Sequence, residues 1–215
     1  MTTIILTTTV NTHNNIQYLY QKDPTSRIRT YLKSILQWLN NTQLNIVLVE
    51  NSGYNFIELD KEKEKFKDRF EVIVFDDSKL PETLFMRNTP SKGRHEIFAI
   101  NYAFNHSNLL KTSNFIIKVT GRFFIPEFEE YLKNYDLNNY DCLVQNNRNR
   151  CEVVGSHYKN FLDIFNINIH DDINFDYIES VWMGRTSSYT NILICKIFTI
   201  DETQRGGLNQ RYTTI

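Results

Sequence analysis

Asn114-Phe115-Ile116-Ile117-Lys118-Val119-Thr120-Gly121-Arg122-Phe123-Phe124-Ile125-Pro126 opens as an apolar, β-branched run and then places Lys118, Thr120 and Arg122 on alternate positions. Such a run is the pattern of a strand buried on both faces, as in a parallel sheet. Side chains alternate along a strand, so the three polar residues are expected to share one face where the strand emerges. Charges are almost never buried without a partner. Two readings stay open for this stretch. Lys118 and Arg122 either meet an anionic ligand or pair with carboxylates on an ordinary sheet edge.

Working outward, residues 3–10 (TIILTTTV), 44–49 (LNIVLV) and 70–75 (FEVIVF) read as three earlier strands, dense in β-branched residues. Between the first two, Ile28, Tyr31, Leu32, Ile35, Leu36 and Leu39 recur at helical spacing and predict an amphipathic helix from 25 or 26 to about 40. The charged segment 61–69 reads as a solvated helical face, and a helix is expected from Lys92. After Pro126 come a short helix over 127–135, a strand over 141–144 and a strand or turn over 152–155. Helices over 158–165 and 173–183, a last strand over 192–200 and a loose tail over 201–215 complete the reading.

Strands alternating with helices predict an α/β fold, a mostly parallel central sheet flanked by helices and joined by right-handed crossovers. Ligands of such sheets bind outside the carboxyl ends of the strands. That rule selects Thr8, Thr9 and Asn11; Glu50, Asn51 and Ser52; Asp76 and Asp77; and Lys118, Thr120 and Arg122.

The chain has 215 residues, enough for one domain with a substantial core, and residues 1–200 are expected to form it. Lys plus Arg (24) nearly balances Asp plus Glu (25), so no global field argues for nucleic acid or an anionic membrane. Any anion site must be local. Cys142, Cys151 and Cys195 lie far apart without metal-ligand spacing and read as reduced structural residues. Met1–Leu6 reads as a strand rather than a signal peptide, and no window approaches the roughly 18 apolar residues of a membrane span. A soluble, cytoplasmic protein is expected, in the host cytoplasm if the source is a virus.

No Walker motif is present, and Thr7-Thr8-Thr9-Val10-Asn11 stands where a dinucleotide-binding fold would carry GxGxxG. HExxH, GxSxG and paired CxxC are absent as well. Of the five histidines, His157 follows an expected strand and is the one with a candidate role. Asp171-Asp172 either binds a cation or is simply solvated. Asp76-Asp77 either holds a ribose hydroxyl or divalent ion, or caps the following helix. Glu50 can accept hydrogen bonds from ribose or base.

Arg27-x3-Tyr31-x2-Ser34-Ile35, Val49-Glu50-Asn51-Ser52-Gly53, Lys92-Gly93-x2-Glu96, Lys118-Val119-Thr120-Gly121-Arg122 and Arg150-Cys151-Glu152 occur in this order at expected strand exits. The set resembles the nucleotide-diphospho-sugar transferase superfamily of GT-A (Rossmann-like) glycosyltransferases, and more narrowly a group of bacterial and large-virus glycosyltransferase-like proteins. The resemblance implies a donor site with Thr8, Thr9 and Asn11 beside base and ribose, Glu50, Asn51 and Ser52 opposite, and Lys92 and Glu96 facing the diphosphate. It departs from the superfamily in one respect: Lys118-x-Thr120-x-Arg122 replaces the usual Asp-x-Asp that holds a divalent ion. Cationic side chains can neutralise a leaving diphosphate without metal, so metal-independent transfer is suggested. Mn2+ or Mg2+ held elsewhere, at Asp76 and Asp77, stays open.

By the same resemblance, Asp176-x-x-Glu179 stands at a helix start that supplies the catalytic base of inverting enzymes, with Glu179 the first choice and Asp176 the second. Trp182 and His157 are assigned to the acceptor side, although a tryptophan here also suits the core. The implied activity is transfer of a sugar from a UDP-, GDP- or CDP-linked donor to a glycan acceptor. A catalytically silent sugar- or nucleotide-binding module and a sugar-phosphate nucleotidyltransferase are the alternatives.

Overall fold

The first strand, β1 (Thr2–Thr8), is buried along almost its whole length and lies third in a seven-stranded sheet. The computed structural model describes all residues except 14, 87, 88, 148 and 169–176. Strands β2 (Asn45–Glu50), β3 (Phe70–Val74) and β4 (Phe115–Thr120) run parallel to β1. With β5 (Cys142–Val144), β6 (Val153–His157) and β7 (Ile192–Ile194), the order is β3-β2-β1-β4-β6-β5-β7. Register pairs Thr8 with Glu50, Glu50 with Val74 and Thr7 with Thr120, so the four parallel exits are level at one edge.

Alternation sorts the sheet residues into two cores. On one face Ile4, Leu6, Leu48, Ile117 and Val119 pack with Tyr31, Ile35, Trp38 and Leu39 of helix α1 (Pro24–Asn41). Asp23 caps that helix by accepting from the Ser26 amide at 2.7 Å, as the Asp-Pro start suggests. The Trp38 indole, fully buried, donates to the Phe123 carbonyl at 2.9 Å and so ties α1 to the segment after β4.

On the other face Ile5, Val47, Val49 and Ile116 pack with helix α3 (Lys92–His106) and helix α7 (Ile178–Thr186). The short helices α2 (Asp60–Lys65), α4 (Asn108–Lys111), α5 (Phe128–Lys133) and α6 (Phe161–Ile164) complete the layers. The predicted start of the last helix, residues 173–176, lies outside the described residues.

Three expectations change. Strand β6 is antiparallel to β4 and β5, pairing Lys118 with Val154 and Phe115 with His157. It therefore begins at the exit edge and ends at the opposite one. The single strand expected over 192–200 is two, because Phe198 turns inward and sets its ring edge-on to Phe128 and Tyr131 at 5.4 and 5.1 Å. The expected loose tail is a hairpin of β8 (Thr199–Gln204) and β9 (Arg211–Thr214). Phe198 and Ile215 exchange two backbone hydrogen bonds at its base, and Ile200 and Ile215 are buried in the α1-side core.

Gly121 lets β4 leave the sheet tightly against β1. A Cβ there would lie 2.6 Å from Thr8 Cγ2 and 2.7 Å from the Thr7 carbonyl oxygen, closer than real Cβ atoms come. Among the described residues no helix is long and apolar enough to cross a membrane.

Candidate functional site

The level exits of β1, β2 and β4 open into a cleft of about 780 Å³. Its size falls in the range of small-molecule sites. Thr7, Thr8, Thr9, Asn51, Thr120 and Arg122 line it from the sheet, and Lys92, His95, Glu96 and Glu179 from the helices. Residues 16–19 and the hairpin turn 205–208 add to its wall.

Glu50 does not face this cleft. Its carboxylate is fully buried and accepts from the backbone amides of Val10 (2.8 Å), Ser52 (2.9 Å) and Tyr54 (2.9 Å) and from the Ser52 hydroxyl (2.5 Å). Burial pushes its pKa up, and those hydrogen bonds work against the rise. The expectation that Glu50 holds ribose or base is therefore corrected, since its acceptor capacity is already engaged. Ser52 and Asn11 belong to the same clip: the Ser52 hydroxyl lies 2.8 Å from the Asn11 amide, and neither residue lines the cleft. Thr8, Thr9 and Asn51 do line it, and Thr9 donates to the Asn51 side-chain oxygen at 2.6 Å.

Lys118 and Thr120 share a face, but Arg122 does not share it with them. The strand ends at Thr120, and the turn closed by the Phe123 amide on the Thr120 carbonyl (3.0 Å) breaks the alternation. Lys118 points toward α3 and is 0% exposed. Its ammonium reaches Glu96 (2.8 Å), the Cys151 carbonyl (2.7 Å) and the Thr120 hydroxyl (3.0 Å), and lies 5.2 Å from the Trp182 ring centre. Burial acts to lower its pKa, but Glu96, Cys151 and Glu152 together outweigh it and the net shift is upward. Lys118 is thus a buried strut behind the cleft wall. It holds Glu96, which also accepts from the Thr7 hydroxyl at 2.7 Å.

Arg122 leans toward α1, 5.9 Å from the Tyr31 ring centre, and donates to the Gln21 side-chain oxygen (3.2 Å) and the Gln204 carbonyl (3.5 Å). Its other near neighbour is the hairpin turn, where a Cβ on Gly206 would come within 2.6 Å of its guanidinium. Lys92 opens α3 and donates to the Tyr18 carbonyl at 2.7 Å. Burial lowers the Lys92 pKa; Glu179 opposes that, while Arg122 and Arg205 add to it. Burial likewise lowers the Arg122 pKa, with Arg27 adding to the effect. None of Lys92, Arg122 and Arg205 makes an ion pair with a described carboxylate. Three partly desolvated cations around one cleft repel each other, and an anion would relieve them.

Arg27, from the first motif, is 4% exposed and braces the β1 exit, donating to the Thr9 carbonyl (2.6 Å), the Gln21 carbonyl (2.9 Å) and the Tyr31 hydroxyl (2.8 Å). Glu179, in the first turn of α7, lines the cleft. Asp176, His170 and Asp171-Asp172 lie outside the described residues. Trp182 is 2% exposed and packs on Phe165, so it is a core residue and offers no surface to an acceptor. His157 ends an antiparallel strand, which places it at the amino ends of β1 and β4, away from the cleft. The same reversal brings Cys151 and Glu152 to the cleft, where the Glu152 carbonyl accepts from the Thr120 amide at 2.9 Å.

The residues at the β4 exit do not fit a divalent cation: a buried lysine, a threonine and an arginine supply no anionic ligand. Nor do Asp76 and Asp77 share one. Asp76 accepts from the Ser78 amide (3.0 Å) and pairs with Lys79 (2.7 Å). Asp77, buried, contacts His13 (2.6 Å) and His95 (2.7 Å).

Two groups escaped the sequence reading. Arg205 sat in a segment expected to be loose, and His13 and His95 carry no metal-ligand spacing. Only the fold brings them to the exits.

No family model matches the chain, and no curated protein does. Solved structures do match. The bifunctional glycosyltransferase WbbM, in its apo form, superposes with a TM-score of 0.55 at 8% identity, over 89% of this chain and 38% of its own. GlyE of Streptococcus pneumoniae TIGR4 gives 0.52 at 10% identity, over 90% and 45%. The galactosyltransferase LgtC, solved with donor and acceptor sugar analogues, gives 0.52 at 8% identity, over 89% and 72%. The chain thus spans less than half the length of WbbM and GlyE. Together with the sheet order, these matches show a single α/β domain of the GT-A, Rossmann-like fold.

Proposed function

We propose that this chain is a glycosyltransferase that moves a sugar from a nucleotide-diphospho-sugar donor to a glycan acceptor with inversion, using cationic side chains in place of a metal ion at the β4 exit. The observation that carries the reading is the convergence of Lys92, Arg122 and Arg205 on one cleft without an ion-pair partner among the described carboxylates, with Glu179 within electrostatic reach of Lys92. A shared fold does not imply a shared function, so the site bears the argument. Likeness to LgtC, which was solved with donor and acceptor sugar analogues, supports it.

In the proposed reaction the acceptor hydroxyl oxygen attacks the anomeric carbon while the bond from that carbon to the diphosphate oxygen breaks. Glu179 takes the hydroxyl proton. The leaving diphosphate keeps the bonding electron pair, and Lys92, Arg122 and Arg205 neutralise the charge that develops on it. Thr8, Thr9 and Asn51 lie on the base and ribose side, and Glu96 is held in place by Lys118 and Thr7. Residues 1–200 and the hairpin act here as one unit, because Arg205 and Gly206 reach the cleft.

The test is the melting temperature of the purified chain with UDP, GDP, CDP and ADP, each with manganese and with chelator, because ligand binding to the native state raises stability. A shift of several degrees with one diphosphate, retained in chelator, is expected. No shift with any of them would overturn the reading.

Glu179→Gln is expected to keep donor affinity and lower kcat by about 10²–10⁴. Unchanged turnover in that variant would remove Glu179 as the base. A catalytically silent binding module is the second reading, favoured by the missing acidic pair at the β4 exit; it requires donor binding with neither transfer nor slow donor hydrolysis.

A further inference from the structure

His13, Asp77 and His95 come from three separate segments: the loop after β1, the exit of β3 and the first turns of α3. Their ligand atoms lie within 4.8 Å of one another. One carboxylate serves both rings, Oδ1 meeting His13 Nε2 at 2.6 Å and Oδ2 meeting His95 Nδ1 at 2.7 Å. Asp77 is fixed from behind. The Asn51 side-chain amide donates to Oδ2 at 3.0 Å, the Asp77 amide donates to the Asn51 carbonyl at 3.0 Å, and the Thr83 hydroxyl donates to the Asp77 carbonyl. A bracing shell of this kind is what orients metal-ligating carboxylates.

An independent observation points to a ligand. His95 is 7% exposed and lines the cleft, and its Nε2 is buried with no hydrogen-bond partner among the described residues. That nitrogen is therefore placed to take the proton that Nδ1 must release to coordinate an ion, and as N–H to donate to a ligand group in the cleft.

We propose that His13, Asp77 and His95 form a binding site for a divalent transition-metal ion at the β3 end of the cleft. Two imidazoles with one carboxylate suit borderline ions such as Zn2+ or Co2+ rather than Mg2+, which prefers oxygen ligands throughout. Tetrahedral bonds of about 2.0–2.1 Å place ligand atoms about 3.3 Å apart, so the rings withdraw by roughly half an ångström on metal entry. Each ring nitrogen now donating a hydrogen to Asp77 gives it up, to the other ring nitrogen or to solvent, and coordinates through the freed lone pair. Three protein ligands leave a fourth position for water or a ligand group in the cleft. Asp77 packs on Asn51 at the β2 exit while Arg122 follows β4, with β1 between them, so this ion is separate from Arg122, whereas Lys92 stands one helical turn from His95. The site goes beyond the transferase reading, and its test uses no nucleotide.

The experiment is titration of the chelator-stripped full chain with Co2+, read by visible absorption and calorimetry, followed by Zn2+ competition. One equivalent is expected, with d–d bands of nitrogen and oxygen ligation and displacement by Zn2+. His13→Asn and Asp77→Asn are each expected to weaken binding more than about tenfold. His13 is partly exposed, so its variant keeps the core intact, which an unchanged melting temperature checks. Three results would each overturn the proposal: no saturable binding, equal binding in both variants, or a sulfur-to-cobalt charge-transfer band that assigns the ion to Cys151.

Discussion

Arg122→Met is expected to leave the free protein as stable as before, or more so, while removing most of its affinity for nucleoside diphosphates. The guanidinium is half-buried, its protonated form is disfavoured by burial and by Arg27, and its hydrogen bonds go to the neutral acceptors Gln21 and Gln204. Removing such a charge relieves desolvation and repulsion, and methionine keeps the apolar stem beside Tyr31. In the complex the same charge would meet phosphate oxygens in a bidentate geometry, and its loss there costs about 2–4 kcal/mol, roughly thirty- to a thousand-fold in Kd. Calorimetry with the diphosphate that shifts the wild type, alongside thermal unfolding of both apo proteins, checks both halves. Affinity within about threefold of wild type would exclude Arg122 from the phosphate site.

Lys118→Met is expected to do the opposite and act on stability. It leaves Glu96, whose side chain is only 22% exposed, without its cation, and it empties the hydrogen bonds to the Cys151 carbonyl and Thr120. Breaking a buried pair by removing one partner costs about 3–5 kcal/mol. Glu96 can recover some water, so about 2–4 kcal/mol is the reasonable expectation, or roughly 5–15 °C in Tm for a chain of this size. Adding Glu96→Gln should recover part of that loss, giving a coupling of about 1–3 kcal/mol in a double-mutant cycle. Additive effects of the two substitutions would show that the pair does not hold the fold.

The parallel half of the sheet was legible because β-branched runs and a single helical stripe leave few alternatives, and the exit rule then selected Thr8, Thr9, Asn51 and Thr120, which line the cleft. It failed where local pattern does not decide position. Alternation located Lys118 and Thr120 on one face but stopped being valid at Gly121, one residue before Arg122. Glu50 stood at an exit yet was consumed by the amides of its own turn, Ser52 and Tyr54, and by that of Val10, which only the β1–β2 register brings to it. His157 was misplaced because the direction of a three-to-five-residue strand is not written in its sequence. Arg205 and the pair His13 and His95 carry no motif at all; their meaning arises from approach across more than sixty positions of chain.

The C-terminal hairpin bonds only to itself as a sheet, and two-stranded hairpins are marginal on their own. The buried cluster of Phe198, Ile200 and Ile215 holds its base, the Gly206 carbonyl accepts from the Tyr20 and Gln21 amides at its turn, and Asp201 pairs with Lys33 of α1. The third cation of the cleft is therefore carried by a hairpin that its docking, rather than its own two-stranded ladder, keeps in place. Apparent affinity is the intrinsic affinity scaled by the fraction of molecules in which the hairpin is docked. Residues buried beneath it, with no part in the cleft, thereby tune binding from a distance, and ligand concentration in turn sets how often the hairpin is down.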